Sequence, residues 1–121
     1  MEERRREPRY KIRVDVVTRD AVSMEAQAVD ISSSGMRIQA AETIAPETQV
    51  VVFMPLEKEV SFRGTVVWAT RSQTPGTPLY LMGIDVCVIG FPGAKAFEAS
   101  DRRGLFKEIL PWINQKQNRS G

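Results

Sequence analysis

No histidine occurs in the chain, and the only cysteine is Cys87. The first absence removes the commonest general base and the commonest zinc ligand. The second excludes an internal disulfide, and the two together exclude a Cys–His dyad or a thiolate–imidazole metal cluster. The carboxylates that remain form no spaced acid–base pair, so no enzyme, no metal and no cofactor are expected. Cys87 lies in the apolar run 84–89, which predicts a packed, inert thiol. No apolar run approaches the about 20 residues of a membrane-spanning helix. The opening Met1-Glu2-Glu3-Arg4-Arg5-Arg6 lacks the apolar stretch of a signal peptide, and the chain reads as cytoplasmic with no membrane contact. Aromatic residues make up only 7%, and Tyr10 alone stands near the basic N-terminus. That is too few for a stacking surface on single-stranded nucleic acid. A net charge of +2 falls short of the broad basic footprint of a duplex-DNA binder.

What is present is ordinary for one globular domain: 121 residues, 42% hydrophobic and 26% charged. The charge is uneven. Arg4, Arg5, Arg6, Arg9, Lys11 and Arg13 crowd the first thirteen residues against Glu2, Glu3 and Glu7, and Arg102, Arg103, Lys107, Lys116 and Arg119 form a second cluster that reads as a solvated face. Strand patterning dominates the middle. Residues 10–17 alternate, with Tyr10, Ile12, Val14 and Val16 on one face. A turn at Arg19-Asp20 leads to a second strand at 24–31, the serines and Gly35 turn into a third at 36–40, and a connection over 41–48 follows. The run 49–54 reads as a strand covered on both sides. Residues 59–68 form a long strand with Gly64 as a bulge or bend, a loop spans 72–78, and 78–86 closes the set. Six strands with tight connections predict an all-β fold, a small antiparallel barrel that leaves no exposed edge.

Beyond a linker at 91–99 the period changes to that of a helix over 100–118, with a polar tail at 119–121. Ser100 or Asp101 suits its N-cap. Leu105, Phe106, Ile109, Leu110, Trp112 and Ile113 form its apolar stripe, which packs on the barrel or serves a partner or dimer contact. Pro111 predicts a kink, or an end and restart near Leu110.

Two short segments carry chemistry. Arg5 and Arg9 stand four apart just before the first strand, and Asp30, Ser32 and Gly35 follow at the end of the second. Guanidinium groups grip phosphates and the O6/N7 edge of guanine with paired hydrogen bonds. A carboxylate accepts from guanine N1–H and N2–H₂, and a glycine admits close approach of backbone. This set describes a pocket for a guanine nucleotide with an exposed phosphate. The bland alternative for Asp30 and Ser32 is a capped β-turn.

The pair of segments resembles the signatures of the PilZ domain family, bacterial receptor modules for cyclic di-GMP. R-x-x-x-R is met by Arg5 and Arg9, and [D/N]-x-S-x-x-G by Asp30, Ser32 and Gly35. Residues 36–40, Phe62–Trp68 and Leu81–Val86 resemble the family's later strands, with Val86 where an aromatic residue often stands. The resemblance implies a six-stranded PilZ-type β-barrel over 10–90, a C-terminal α-helix, and an arginine arm over 1–9 that closes on cyclic di-GMP. Arg5 and Arg9 would contact phosphate and a guanine edge, with Arg4 and Arg6 as helpers. Asp30 would accept from the Watson–Crick edge, Ser32 would meet phosphate or base, and Gly35 would permit the turn. Arg9 and Arg13 also fit the arginine spacing. Charge repulsion in the arm predicts that ligand orders it and so alters a surface for a downstream protein. The alternative is a ligand-independent PilZ-type interaction module of motility or pilus machinery.

Overall fold

The computed structural model describes residues 8–20, 23–71, 76, 79–90 and 102–120. Six strands and one helix follow one another as β1 (Tyr10–Asp20), β2 (Met24–Ile31), β3 (Gly35–Ala40), β4 (Gln49–Pro55), β5 (Glu59–Arg71), β6 (Tyr80–Gly90) and α1 (Arg102–Ser120). Every strand pairing is antiparallel, and the order β1-β2-β3-β6-β5-β4 closes on itself through β1 and β4. The expected barrel is therefore the observed one.

Alternation puts Ile12, Val14, Val16, Ala28, Ile38, Val50, Val52, Phe62, Val66, Met82, Ile84 and Val86 inside. Burying such a side chain contributes about 1.5–3 kcal/mol, so this shared interior is what closes the sheet. Val86, at the position where the resemblance leads one to expect an aromatic residue, fills the core.

Three expectations change. Arg19 and Asp20, expected in a turn, belong to β1, which continues through Asp20 and pairs there with Val50 of β4. The apolar run in β4 is not covered on both sides: Val50, Val52 and Met54 are buried, whereas Val51 and Phe53 are half-buried on the outer face, where Arg19 lies over the Phe53 ring at 5.6 Å. Cys87 is exposed, because Ile84 and Val86 turn inward and the next residue must point out; its thiol meets the Arg63 carbonyl oxygen at 3.3 Å.

Gly64 stands at a break in register, but the extra residue there is Cys87 on the partner strand β6 rather than one on β5. The β5–β6 register slips between Arg63 and Gly64, and a Cβ there would meet the Asp85 carbonyl carbon at 2.9 Å. A second slip, between Val66 and Trp68, matters more for the site.

Helix α1 touches both β1 and β6, which are not neighbours in the barrel, so it lies across an open end rather than along the wall. Phe106, Ile109 and Ile113 are buried beneath it, with Leu110 and Trp112 packed alongside. The helix does not stop near Leu110 but runs through Pro111. Proline in a helix costs about 3 kcal/mol. Three buried side chains outweigh that, and Pro111 itself is exposed. Ser100, Asp101 and the linker at 91–99 lie outside the described residues.

Candidate functional site

At the end where β1 begins, β2 hands the chain to β3 through a tight turn. The Ser32 amide donates to the Gly35 carbonyl at 2.8 Å, and the Ser32 hydroxyl lies 3.4 Å from both that carbonyl and the Ser34 amide. The Val86 amide donates to the Ser34 carbonyl at 2.8 Å, tying the turn to β6. Ser32 and Ser33 are buried. The hydroxyl of Ser32 thus shapes the turn, the bland role weighed for it from sequence.

Asp30 stands beside this turn, only 4% exposed. Its Oδ1 accepts from Arg9 Nη1 at 2.7 Å, and its Oδ2 accepts from Arg37 Nε and pairs with Arg37 Nη2. A buried carboxylate demands such partners. Both guanidinium groups remain about half exposed and reach solvent beyond it.

Register extends the group across the sheet. Asp30 pairs with Arg37, Arg37 with Gly83, and Gly83 with Trp68, so one row runs over β2, β3, β6 and β5. Strict alternation from Phe62, Gly64 and Val66 would turn Trp68 into the core. The slip in register at Val67 sets both Val67 and Trp68 outward instead, the re-aiming that β-bulges produce. The indole then lies on Gly83 so closely that a Cβ there would overlap Nε1 and Cε2. Glycine is required at 83 for this contact, and the indole stays 38% exposed.

These residues surround an open cleft of about 420 Å³, lined among others by Arg9, Gly35, Arg37, Trp68, Gly83 and Asp85. Its size falls in the range of small-molecule sites, about 300–1,000 Å³. Gly35 pairs across β3–β6 with Asp85, and a Cβ at 35 would sit 3.0 Å from the Ile84 carbonyl oxygen and 3.7 Å from Arg9 Nη2. Two cations and an indole face one hollow: the set suits an anion that carries flat bases.

Of the residues singled out from sequence, Arg9 and Gly35 line the cleft, Asp30 sits behind Arg9, and Ser32 lies within the turn. Arg4, Arg5 and Arg6 lie outside the described residues. Arg13 is exposed on β1, away from the cleft lining, and its backbone amide donates to the Gln117 side chain of α1 at 2.8 Å. Sequence reasoning missed Arg37, Trp68 and Asp85. Alternation from Gly35 puts Arg37 on the outer face and was a usable signal; Trp68 and Asp85 join the site only through strand pairing. Among the described residues no cluster of three metal-ligating side chains occurs, and no helix is long and apolar enough to cross a membrane.

No curated protein matches the sequence. Among solved structures, the Bacillus subtilis inhibitor of motility MotI/DgrA superposes with a TM-score of 0.61 at 13% identity, over 96% of this chain and 54% of that one. The chain spans about half the length of that protein, and the likeness is one of fold. The model of the PilZ domain matches residues 3–88, which takes in all six strands up to Val88 of β6. On that match, and on the closed six-stranded barrel with its Asp-x-Ser-x-x-Gly turn, the chain belongs to the PilZ domain family.

Proposed function

We propose that the protein is a receptor for cyclic di-GMP that passes the signal to a partner protein. The observation that carries this reading is the placement of Arg9, Arg37 and Trp68 around one cleft. A cyclic dinucleotide needs charge neutralised at two phosphates and a flat surface for its bases, and this cleft offers both. Asp30 acts in this reading as a positioning residue, holding Arg9 and Arg37 so that their outer nitrogens face the ligand. Arg5, four residues before Arg9, closes over the ligand from the arm, with Arg4 and Arg6 beside it.

The output has a physical route. Tyr10 follows Arg9 directly and its ring lies 6.0 Å from that of Phe106 on α1. Closure of the arm therefore acts on the strand start against which the helix packs, and the neighbouring surface is where a downstream protein would read the change. The fold neighbour is an inhibitor of motility, which makes motility machinery the first place to look for that protein.

Isothermal titration of the full chain with cyclic di-GMP tests the proposal, with cyclic di-AMP and GTP as controls. The expected result is micromolar or tighter binding, about −8 kcal/mol or more, weakened strongly by Arg9→Ala and Asp30→Ala. Folded wild type that takes up no cyclic di-GMP rejects it and leaves a ligand-independent interaction module.

A further inference from the structure

We infer that Glu47, in the connection between β3 and β4, is a positioning residue: bonded to Val66, it holds the break in β5 that turns Trp68 outward. The inference rests on the cyclic di-GMP reading, in which Trp68 faces the ligand, and adds to it a residue outside the cleft lining. It concerns what aims the indole, not what the indole touches.

The sequence of the connection sets up a conflict. Pro46 suits the second position of a four-residue turn, and the Thr48 amide donates back to the Ala45 carbonyl at 3.2 Å. When the third position of such a turn takes a positive φ, glycine adopts it freely and a side chain resists it. Here that position is Glu47, at φ 75°, the one non-glycine residue with positive φ among the described residues. A strained residue persists only where its surroundings fix it.

The strand beside it shows what the conformation achieves. Regular pairing of β4 with β5 ends at Gln49 and Thr65. Beyond that point the Val66 amide donates to the Thr48 carbonyl at 2.9 Å, and the Val66 carbonyl accepts from the Glu47 amide. Two consecutive residues share one partner, the first of them in the left-handed region: a G1-type bulge with glutamate in the glycine place. On its other edge β5 pairs Val66 with Ile84 and Trp68 with Gly83, which leaves Val67 as the extra residue. Val66 is thus held by amide and carbonyl at the last position before the break, with its side chain buried. So held, β5 does not slide by one residue to absorb Val67 and carry the tryptophan inward.

The same connection also grips β6. Ile44 is buried, and its amide donates to the Met82 sulfur at 3.3 Å. Met82 immediately precedes Gly83, the seat of the indole. One segment therefore ties down β5 two residues before Trp68 and β6 one residue before Gly83, which fixes the two halves of that contact relative to each other.

The first arm of the test needs no ligand. The indole N–H signals of the two tryptophans, assigned with Trp68→Phe, are followed in ¹H–¹⁵N spectra of the full chain as wild type, Glu47→Gly and Glu47→Val. Glycine takes positive φ without cost, and a β-branched residue resists it most. Glu47→Gly should leave both signals in place and keep wild-type affinity for cyclic di-GMP in titration, which assigns the effect to backbone and not to the carboxylate. Glu47→Val should displace or split the Trp68 signal, spare that of Trp112, and weaken cyclic di-GMP binding about fivefold or more, the lower bound for a lost stacking contact. A folded Glu47→Val whose Trp68 signal stays in place overturns the inference. A displaced indole with wild-type affinity also overturns it, because the turn would then serve the fold alone. Should Glu47→Val not fold, amide exchange in wild type decides: a Glu47 amide that exchanges at the rate of open chain is not held by Val66, and the inference falls. Wild type that takes up no cyclic di-GMP rejects the receptor reading and the binding role of Glu47 with it, while the ligand-free spectra still decide whether Glu47 aims the indole.

Discussion

Arg9 Nη1 and Asp30 Oδ1 meet at 2.7 Å, and the carboxylate's other oxygen is held by Arg37, so one buried acid orients two guanidinium groups from different strands. The acid is nearly inaccessible while the bases reach solvent. In the proposed receptor this division would leave ligand contact to the arginines and support to Asp30, and it orders the expected effects of substitution.

Asp30→Ala is expected to remove more binding than stability. Hydrogen bonds to charged groups contribute about 1.5–3 kcal/mol each, but both arginines are half exposed and regain water when released. A loss of about 1–2 kcal/mol in chemical denaturation follows, alongside at least about tenfold weaker binding in titration, since neither guanidinium is then held toward the cleft. Arg37→Ala keeps the Arg9–Asp30 contact and should weaken binding less than Asp30→Ala. The reverse order would mean that Asp30 does not act through the two arginines.

Trp68 makes the cleft visible by fluorescence. The chain has two tryptophans, and Trp112 is a partly buried residue of α1 packed against the core. A base stacked on the exposed indole should quench Trp68, and Trp68→Phe should abolish that response. Trp68→Ala should weaken binding about 5- to 150-fold, the range for lost base–aromatic stacking of about 1–3 kcal/mol. Gly83→Ala provides the independent check. Its Cβ would occupy the space of the indole, so the ring must leave its seat. A shifted emission maximum with binding weakened as in Trp68→Ala is the expected outcome, with little change in melting temperature because the ring is already partly in water.

How much of this was readable beforehand depended on whether a feature is local. Strand existence was, because inward residues such as Ile12, Val14 and Val16 recur every second position, and the Asp30–Gly35 turn was, because its serines and glycine lie within six residues. Arg9 and Asp30, which the motif spacing assigns to one pocket, meet in the fold although 21 positions apart. The row Asp30–Arg37–Gly83–Trp68 was not legible, since it exists only once β3 pairs with β6 and β6 with β5. The inserted Val67 hid Trp68 further: one extra residue reverses the facing of everything after it, and alternation alone assigns that tryptophan to the core. Cys87 failed for a related reason. A continuous apolar run conceals which of its members point outward.

Gly64→Ala tests the other break in the register of β5. The added carbon would meet backbone of Asp85 and the Cα of Val86 at 3.0 Å, and backbone yields less readily than a side-chain tip. Overpacking of this kind costs about 1–3 kcal/mol, and the upper end is expected here. The damage should be directional, because the strained segment of β6 is the one that carries Asp85. Loss of stability in denaturant should accompany weaker ligand binding, whereas Phe62→Ala, a cavity at the buried interior of the same strand, should cost about 3–5 kcal/mol with binding retained in whatever fraction stays folded.

The last prediction concerns the contact between Tyr10 and Phe106. Phe106 is 5% exposed and Tyr10 39% exposed, so the pair joins a buried helix residue to the rim of the site. Tyr10 also pairs across strands with Ile31, the neighbour of Asp30. If the arm signals through this rim, cyclic di-GMP should slow amide exchange in α1 as well as around the cleft, because ordering Arg9 fixes the strand start on which the helix rests. Tyr10→Ala preserves Arg9, Asp30 and the buried helix residues, and so should retain ligand binding while protection of α1 by ligand disappears. Ile109→Ala serves as the contrast: it empties a fully buried position, should cost about 2–4 kcal/mol, and should speed exchange in α1 with or without ligand. Ligand protection of α1 that survives Tyr10→Ala would place the route elsewhere, along β6, the other strand that the helix touches.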